Sequence, residues 1–155
     1  MVKQIFVNLP INNLNKSVDF FKRLGFKFNP LFTDENATCM IIGENMYVML
    51  LVEKFFKSFI PGKDIANASK NTEVLVALSA ENREEVDKMI KNAVSAGGKE
   101  YREAADHGWM YGRAFQDLDG HIWEIFYMDE SKMPEEMKSD VGLKLFPCEQ
   151  AMKHP

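Results

Sequence analysis

Cysteine is scarce in this 155-residue chain, with only Cys39 and Cys148. They form no CxxC pair, and neither has a histidine at zinc-finger spacing, which argues against a disulfide framework and a structural zinc. Thiols used this sparingly fit a reducing compartment, and the expected location is cytoplasmic. Long apolar runs are also missing. The longest, residues 46–52, falls far short of the roughly 20 residues a membrane-spanning helix needs. Met1-Val2-Lys3-Gln4 turns straight into a strand pattern without signal-peptide architecture, so no membrane partner is expected. There is no basic run. Nineteen Lys and Arg stand against 23 Asp and Glu, for a net charge of -4, so no nucleic-acid partner is expected. No GxSxG, phosphate-binding glycine loop or Cys–His constellation announces a nucleophile.

What the chain does have is bulk. It carries 12 Phe and 10 Met, enough to fill a core or line an apolar pocket, and its length suits one domain. Residues 4–9 alternate as a strand that Pro10 is expected to end. Asn13 or Asn15 then caps a helix bearing Leu14, Val18, Phe21 and Leu24, which Gly25 stops. Residues 26–32, 37–42 and 46–52 read as strands, with turns at 34–36 and 43–45. Phe55, Phe56 and Phe59 suit a short helical face, and the polar segment 61–71 reads as a linker and flap. The pattern then recurs. Strand 73–79 precedes a helix opened by Asn82 and Glu85, with the spacing of a capping box. Its stripe is Val86, Met89, Ile90, Ala93 and Val94, and Gly97-Gly98 ends it. Strands follow at 99–103, 109–115 and 121–127. The expected organisation is module one at 3–52, a linker at 53–71, module two at 72–128 and a tail at 129–155, with a short helix at 134–138.

Several stretches together resemble a known family. Asn13-Leu14-Asn15-Lys16-Ser17, Phe20-Phe21 and Leu24-Gly25-Phe26 are similar to the opening of glyoxalase-like proteins. Asp117-Leu118-Asp119-Gly120-His121-Ile122-Trp123-Glu124 resembles the family's last hairpin. With the duplication, the resemblance to the glyoxalase/bleomycin resistance protein/extradiol dioxygenase (vicinal oxygen chelate) superfamily covers residues 4–128. It implies an α+β fold of two tandem βαβββ modules, forming a cupped, mostly antiparallel eight-stranded sheet with helices outside. It also implies lyase- or isomerase-type chemistry on a small oxygenated substrate, as in the lactoylglutathione lyase-like branch, and a homodimer. The cofactor it implies is a divalent metal (nickel, manganese, zinc or iron) held by His or Glu on the first and last strands of each module.

Carried over position by position, that ligand set is incomplete. The first-module positions fall at Phe6, with Asn8 two residues on, and at Met49. Neither Phe nor a thioether suits a hard cation. The second-module positions fall near Glu73, or Leu75, and at Glu124. Glu124 stands on an apolar strand, where a carboxylate must be paired, hydrated or protonated. It is either a base or ligand facing the cup or half of a structural pair, with Arg113 the expected partner. Tyr111, Arg113 and Trp109 are candidate cup-lining residues, and Arg113 suits a carboxylate or phosphate. His107 is either an acid–base group or a solvent-exposed loop residue. His121 reads as a turn residue. Phe6, Asn8 and Met49 are candidate walls of an apolar pocket. The competing function is metal-independent binding of the drug-sequestering kind.

Overall fold

A computed structural model describes residues 2–135. Residues 136–138 of the expected helix at 134–138 lie outside the described residues, as do Cys148 and His154. The first module contains β1 (Ile5–Ile11), α1 (Leu14–Arg23), β2 (Lys27–Asn29), β3 (Ala37–Gly43) and β4 (Met46–Val52). A short α2 (Glu53–Ser58) follows. The second contains β5 (Leu75–Ser79), α3 (Arg83–Ser95), β6 (Lys99–Asp106), β7 (Met110–Gln116) and β8 (Ile122–Met128). The fold is therefore α+β, built from two tandem βαβββ modules.

Local chemistry explains the boundaries. Asn13, not Asn15, caps α1, accepting from the Lys16 amide at 3.0 Å. Gly25 at φ +101° lets the chain leave that helix. Asn82 caps α3 by accepting from the Glu85 amide at 2.8 Å, while the Glu85 carboxylate reaches back to the Glu81 amide at 3.0 Å. The reciprocal half of the capping box thus lands one residue early. β1 does not end at Pro10 but runs on to Ile11, with Pro10 in register with Leu51. β1 is an edge strand, and Pro10 turns its missing N–H to the free side, where a sheet tolerates proline. The expected strand at 26–32 stops at Asn29, because Asn29 caps a single 3-10 turn at Pro30–Phe32. β5 starts at Leu75, which leaves Glu73 in a bend before it.

The eight strands fall into two four-stranded sheets, ordered β1-β4-β3-β2 and β5-β8-β7-β6. In each, the first and last strands pair in parallel and the rest are antiparallel. Alternation gives each sheet a helix-bearing face and an open face. Leu9, Ile11, Met40, Val48 and Leu50 on the first helix-bearing face share one core with Phe115, Trp123 and Ile125 on the second. Phe20 and Phe21 of α1 bridge them, with ring centroids 6.1 Å from Phe115 and 5.0 Å from Trp123. Gly98 has to be a glycine here, because a Cβ would stand 2.7 Å from the Gln116 carbonyl and 3.0 Å from the Phe20 ring. Each large core side chain contributes about 1.5–3 kcal/mol by leaving water. The two modules are therefore joined through one core that their helix-bearing faces share. No helix among the described residues is long and apolar enough to cross a membrane.

Candidate functional site

β8 is apolar on its helix-bearing side, with Trp123 and Ile125 buried. One residue out of phase with them, Glu124 points to the open face. Its cross-strand neighbours are Ala77 on β5 and Ala114 on β7, so no bulky side chain crowds it. Arg102 reaches over Ala114 from β6 and donates Nη2–H to Glu124 Oε1 at 2.7 Å. The pair is only partly shielded, with 27% of the Glu124 side chain and 43% of the Arg102 side chain accessible. Among the described residues Glu124 is the one acceptor from the Arg102 guanidinium, and its Oε2 has no protein donor.

Arg113 is therefore not the partner of Glu124. It is opposite Ile125 in the β7–β8 register, and a one-residue offset in a strand reverses the face. Its guanidinium lies on the helix-bearing side, 2.7 Å from Asp87 Oδ1 and with Nε 3.1 Å from Glu100 Oε1. The hydrogen bonds it donates to Glu100 foremost push its pKa up, and the Arg113 hydrogen bond holds Asp87 below the usual carboxylate range. Tyr111 shares that side. It donates to Asp87 at 2.8 Å, and Arg83 lies over its ring at 4.8 Å. Burial first, and then Asp87, raise the Tyr111 pKa. Arg83 also pairs with Asp106, whose pKa it lowers to about 2. Tyr111 and Arg113 thus belong to a structural network between α3 and the outer strands, away from Glu124.

The other candidates separate as well. Phe6, Asn8 and Met49 do come together, on the open face of the first sheet. Phe6 is 46% exposed and stacks on Tyr47 at 4.8 Å, while Asn8 is in register with Met49. That aromatic platform and Glu124 are on different sheets. Glu73 is exposed in the bend before β5 and shares with Asn8 a cavity of about 430 Å³ beside the free edge of β1. His107 is exposed in the β6–β7 turn. Trp109, half-buried, offers its carbonyl to the Asp129 amide at 2.7 Å.

The divalent metal implied by the resemblance has no fitting donor set. The paired first- and last-strand positions of the two modules are Asn8 with Met49 and Ala77 with Glu124. The only carboxylate among them is already engaged by a guanidinium. Among the described residues no group of three or more His, Cys, Asp and Glu is placed to hold a metal.

The hairpin motif does something the sequence did not disclose. Asp117, buried, accepts from Trp123 Nε1 at 2.9 Å and from the Asp119 and His121 amides at 3.0 Å. Burial pushes its pKa up. Asp119 then takes the Asn12 amide at 2.8 Å, the Asn12 side chain at 2.9 Å and the Ser17 hydroxyl at 3.1 Å. His121 Nε2 donates to the Pro10 carbonyl at 2.7 Å. Module two thereby clamps the start of α1.

The model of the family described as "Bleomycin resistance protein-like N-terminal" matches residues 3–43. Hypothetical protein SA1046 from S. aureus is 31% identical over 82% of this chain and 95% of its own, with a TM-score of 0.69. A glyoxalase/bleomycin resistance protein/dioxygenase family enzyme from Burkholderia phytofirmans PsJN shares the fold at 12% identity. There 79% of this chain and 96% of that one are covered, with a TM-score of 0.68. The genomically encoded fosfomycin resistance protein FosX from Listeria monocytogenes does so at 17% identity, covering 89% and 98%, with a TM-score of 0.61. No curated protein matches the chain in sequence.

Proposed function

We propose, from the premise that this chain belongs to the glyoxalase/bleomycin resistance protein/dioxygenase (vicinal oxygen chelate) superfamily, that it binds a small oxygenated molecule over the open face of its second sheet and transfers a proton there through Glu124. The observation that carries the reading is the placement of Glu124. A carboxylate with one free oxygen stands among alanines, partly shielded from water, on the one open face that bears it. A carboxylate so held is a fitting general base for a proton next to a carbonyl. No step is routed through a metal, because the donor set does not suit one.

A hollow needs two walls, and the Phe6–Tyr47 face and the Glu124 face belong to different sheets. The reading therefore includes a homodimer in which the first sheet of one copy closes over the second sheet of the other. The expected particle mass in light scattering is twice 17.8 kDa. A monomer at micromolar concentration counts against the shared hollow.

The test of the chemistry is solvent deuterium exchange at the carbon beside the carbonyl of hydroxyacetone and of the methylglyoxal–glutathione hemithioacetal, followed by proton NMR. The wild type is expected to accelerate exchange. Glu124→Gln is expected to slow it by roughly 100-fold or more while leaving the fold intact. Exchange that is absent in the wild type, or unchanged in the variant, ends the assignment. A second reading, binding without turnover, is favoured by the exposed Phe6–Tyr47 stack. It predicts ligand-induced thermal stabilisation that Phe6→Ala abolishes and Glu124→Gln does not.

A further inference from the structure

We infer that Arg102 stands in the place of a metal as the cationic centre of this site, and that the molecule bound there carries an oxyanion, a carboxylate or a phosphate or phosphonate group. The inference rests on the reading just given and names the ligand class for it.

The argument begins with charge. Glu124 has a cation beside it, but that cation is a guanidinium supplied by the chain itself. The contact is single, Nη2 to Oε1, and leaves the Nε and Nη1 donors of Arg102 without a protein acceptor among the described residues. Nη2 keeps a second hydrogen, which with Nε or Nη1 leaves one fork open, and such a fork suits a planar or tetrahedral oxyanion, to which it can donate two parallel hydrogen bonds. Arg113, one strand away, shows the alternative. Its donors are taken up by Asp87 and Glu100, so it has no such edge to offer.

The surroundings fit the same class. Ala77 and Ala114 flank Glu124, so its cross-strand neighbours leave room for a ligand beside it. Lys99 shares the open face, in register with Gln116 two residues along β7 from Ala114. It adds a second positive charge to the approach. An oxyanion on Arg102 places the adjoining carbon of the ligand beside Glu124 Oε2, the oxygen left without a protein donor. A carboxylate or phosphonate with an acidic C–H next to it is thus the substrate geometry the pair favours.

A sign follows that a merely structural salt bridge does not produce. Glu124 competes with the ligand for Arg102, so removing its charge strengthens anion binding even as it removes the base. The experiment uses the full-length chain, labelled with nitrogen-15, and follows the arginine Nε–H resonances. Inorganic phosphate and glycolate are the anionic probes and tetramethylammonium the cationic one, all at constant ionic strength. The anions are expected to shift the Arg102 resonance saturably, and tetramethylammonium to leave it unmoved. Arg102→Met should weaken anion binding at least tenfold, with Arg102→Lys intermediate because it keeps the charge but not the fork. Glu124→Gln should tighten it about threefold to tenfold. Arg113→Met should leave it unchanged, and its circular dichroism reports whether that variant is folded. Equal affinity in Arg102→Met and wild type overturns the inference, as does weaker binding in Glu124→Gln. If neutral hydroxyacetone still binds and exchanges through Glu124 while the anions ignore Arg102, the ligand class fails and the proposed function survives. If nothing binds this face, both fail.

Discussion

β4 and β8 occupy the same place in the two modules, each paired in parallel with its module's first strand and antiparallel with its third. They have nonetheless become different objects. On its open face β4 sets Met49 beside Asn8 and Tyr47 beside Phe6, making an apolar platform. β8 sets Glu124 beside Ala77, with Arg102 across it. The hairpins that feed the two strands differ in the same sense. The 43–45 turn stays within its own module, its Asn45 carbonyl accepting from the Ile5 amide at the start of β1, whereas the 117–121 turn reaches across to Asn12, Ser17 and Pro10. Duplication supplied two equal frames. One has specialised as a greasy wall, the other as the carrier of charge and of the contact that holds the modules in register.

The comparison breaks most sharply at the hairpins. Asp119→Ala removes three hydrogen bonds to the first module and leaves the Ser17 hydroxyl, which is buried, without that acceptor. The expected loss is about 2 kcal/mol of unfolding free energy by urea titration. Glu44→Ala at the matching turn should stay within about 0.5 kcal/mol. Equal losses at the two sites would dissolve the distinction. The strands come next. Met49→Glu places a half-buried carboxylate opposite Asn8, with no arginine in register, at a cost of about 1–2 kcal/mol. Glu124→Met strips a part-exposed pair that stabilises little, so the change should be under about 1 kcal/mol. If Glu124→Met proved the more damaging, Glu124 would be a structural residue and not a site.

How much of this was readable from residues alone follows the period of each signal. Strand alternation and the Asn13 and Asn82 caps are local, so the order of elements and the duplication were legible. The partner of Glu124 was not. β6 carries register shifts between Glu100 and Arg102 and again between Arg102 and Ala105. Each shift resets which residues share a face, and nothing in Lys-Glu-Tyr-Arg-Glu-Ala-Ala-Asp declares where they fall. Arg113 looked right because β7 lies next to β8, but the one-residue offset in register put it on the other side. The joining of the two modules through α1 was equally hidden. It depends on Phe20 and Phe21 choosing Phe115 and Trp123 of the distant module, a contact between segments about a hundred residues apart. The 117–121 motif reads in sequence as a family feature, and its role as a clamp depends on Asn12 and Ser17 of the other module, far away in the chain.

The smallest expected effect concerns acid, and it again divides the modules. Among the described residues, the arginine–carboxylate pairs all belong to module two: Arg83–Asp106, Arg102–Glu124, and Arg113 with Asp87 and Glu100. Asp106 is held at about 2 by Arg83 and Asp87 is lowered by Arg113, so both are depressed in the folded chain. Their contribution is whole above the ordinary aspartate value near 4 and is lost as pH falls through that value towards 2. Asp117 has the opposite sign. Burial raises its pKa, so the folded state prefers it protonated and its contribution grows as pH falls. Between pH 4 and pH 2, then, the β6–β7 amides should lose hydrogen-exchange protection before those of β3–β4, while the clamp around Asp117 holds. Asp106→Asn should flatten the pH dependence of β6–β7 protection without altering that of β3–β4. Because the Arg83–Asp106 pair is solvent-exposed, added salt should shrink the difference. Protection lost first in β3–β4 would show that the charge carried by module two is incidental to its stability.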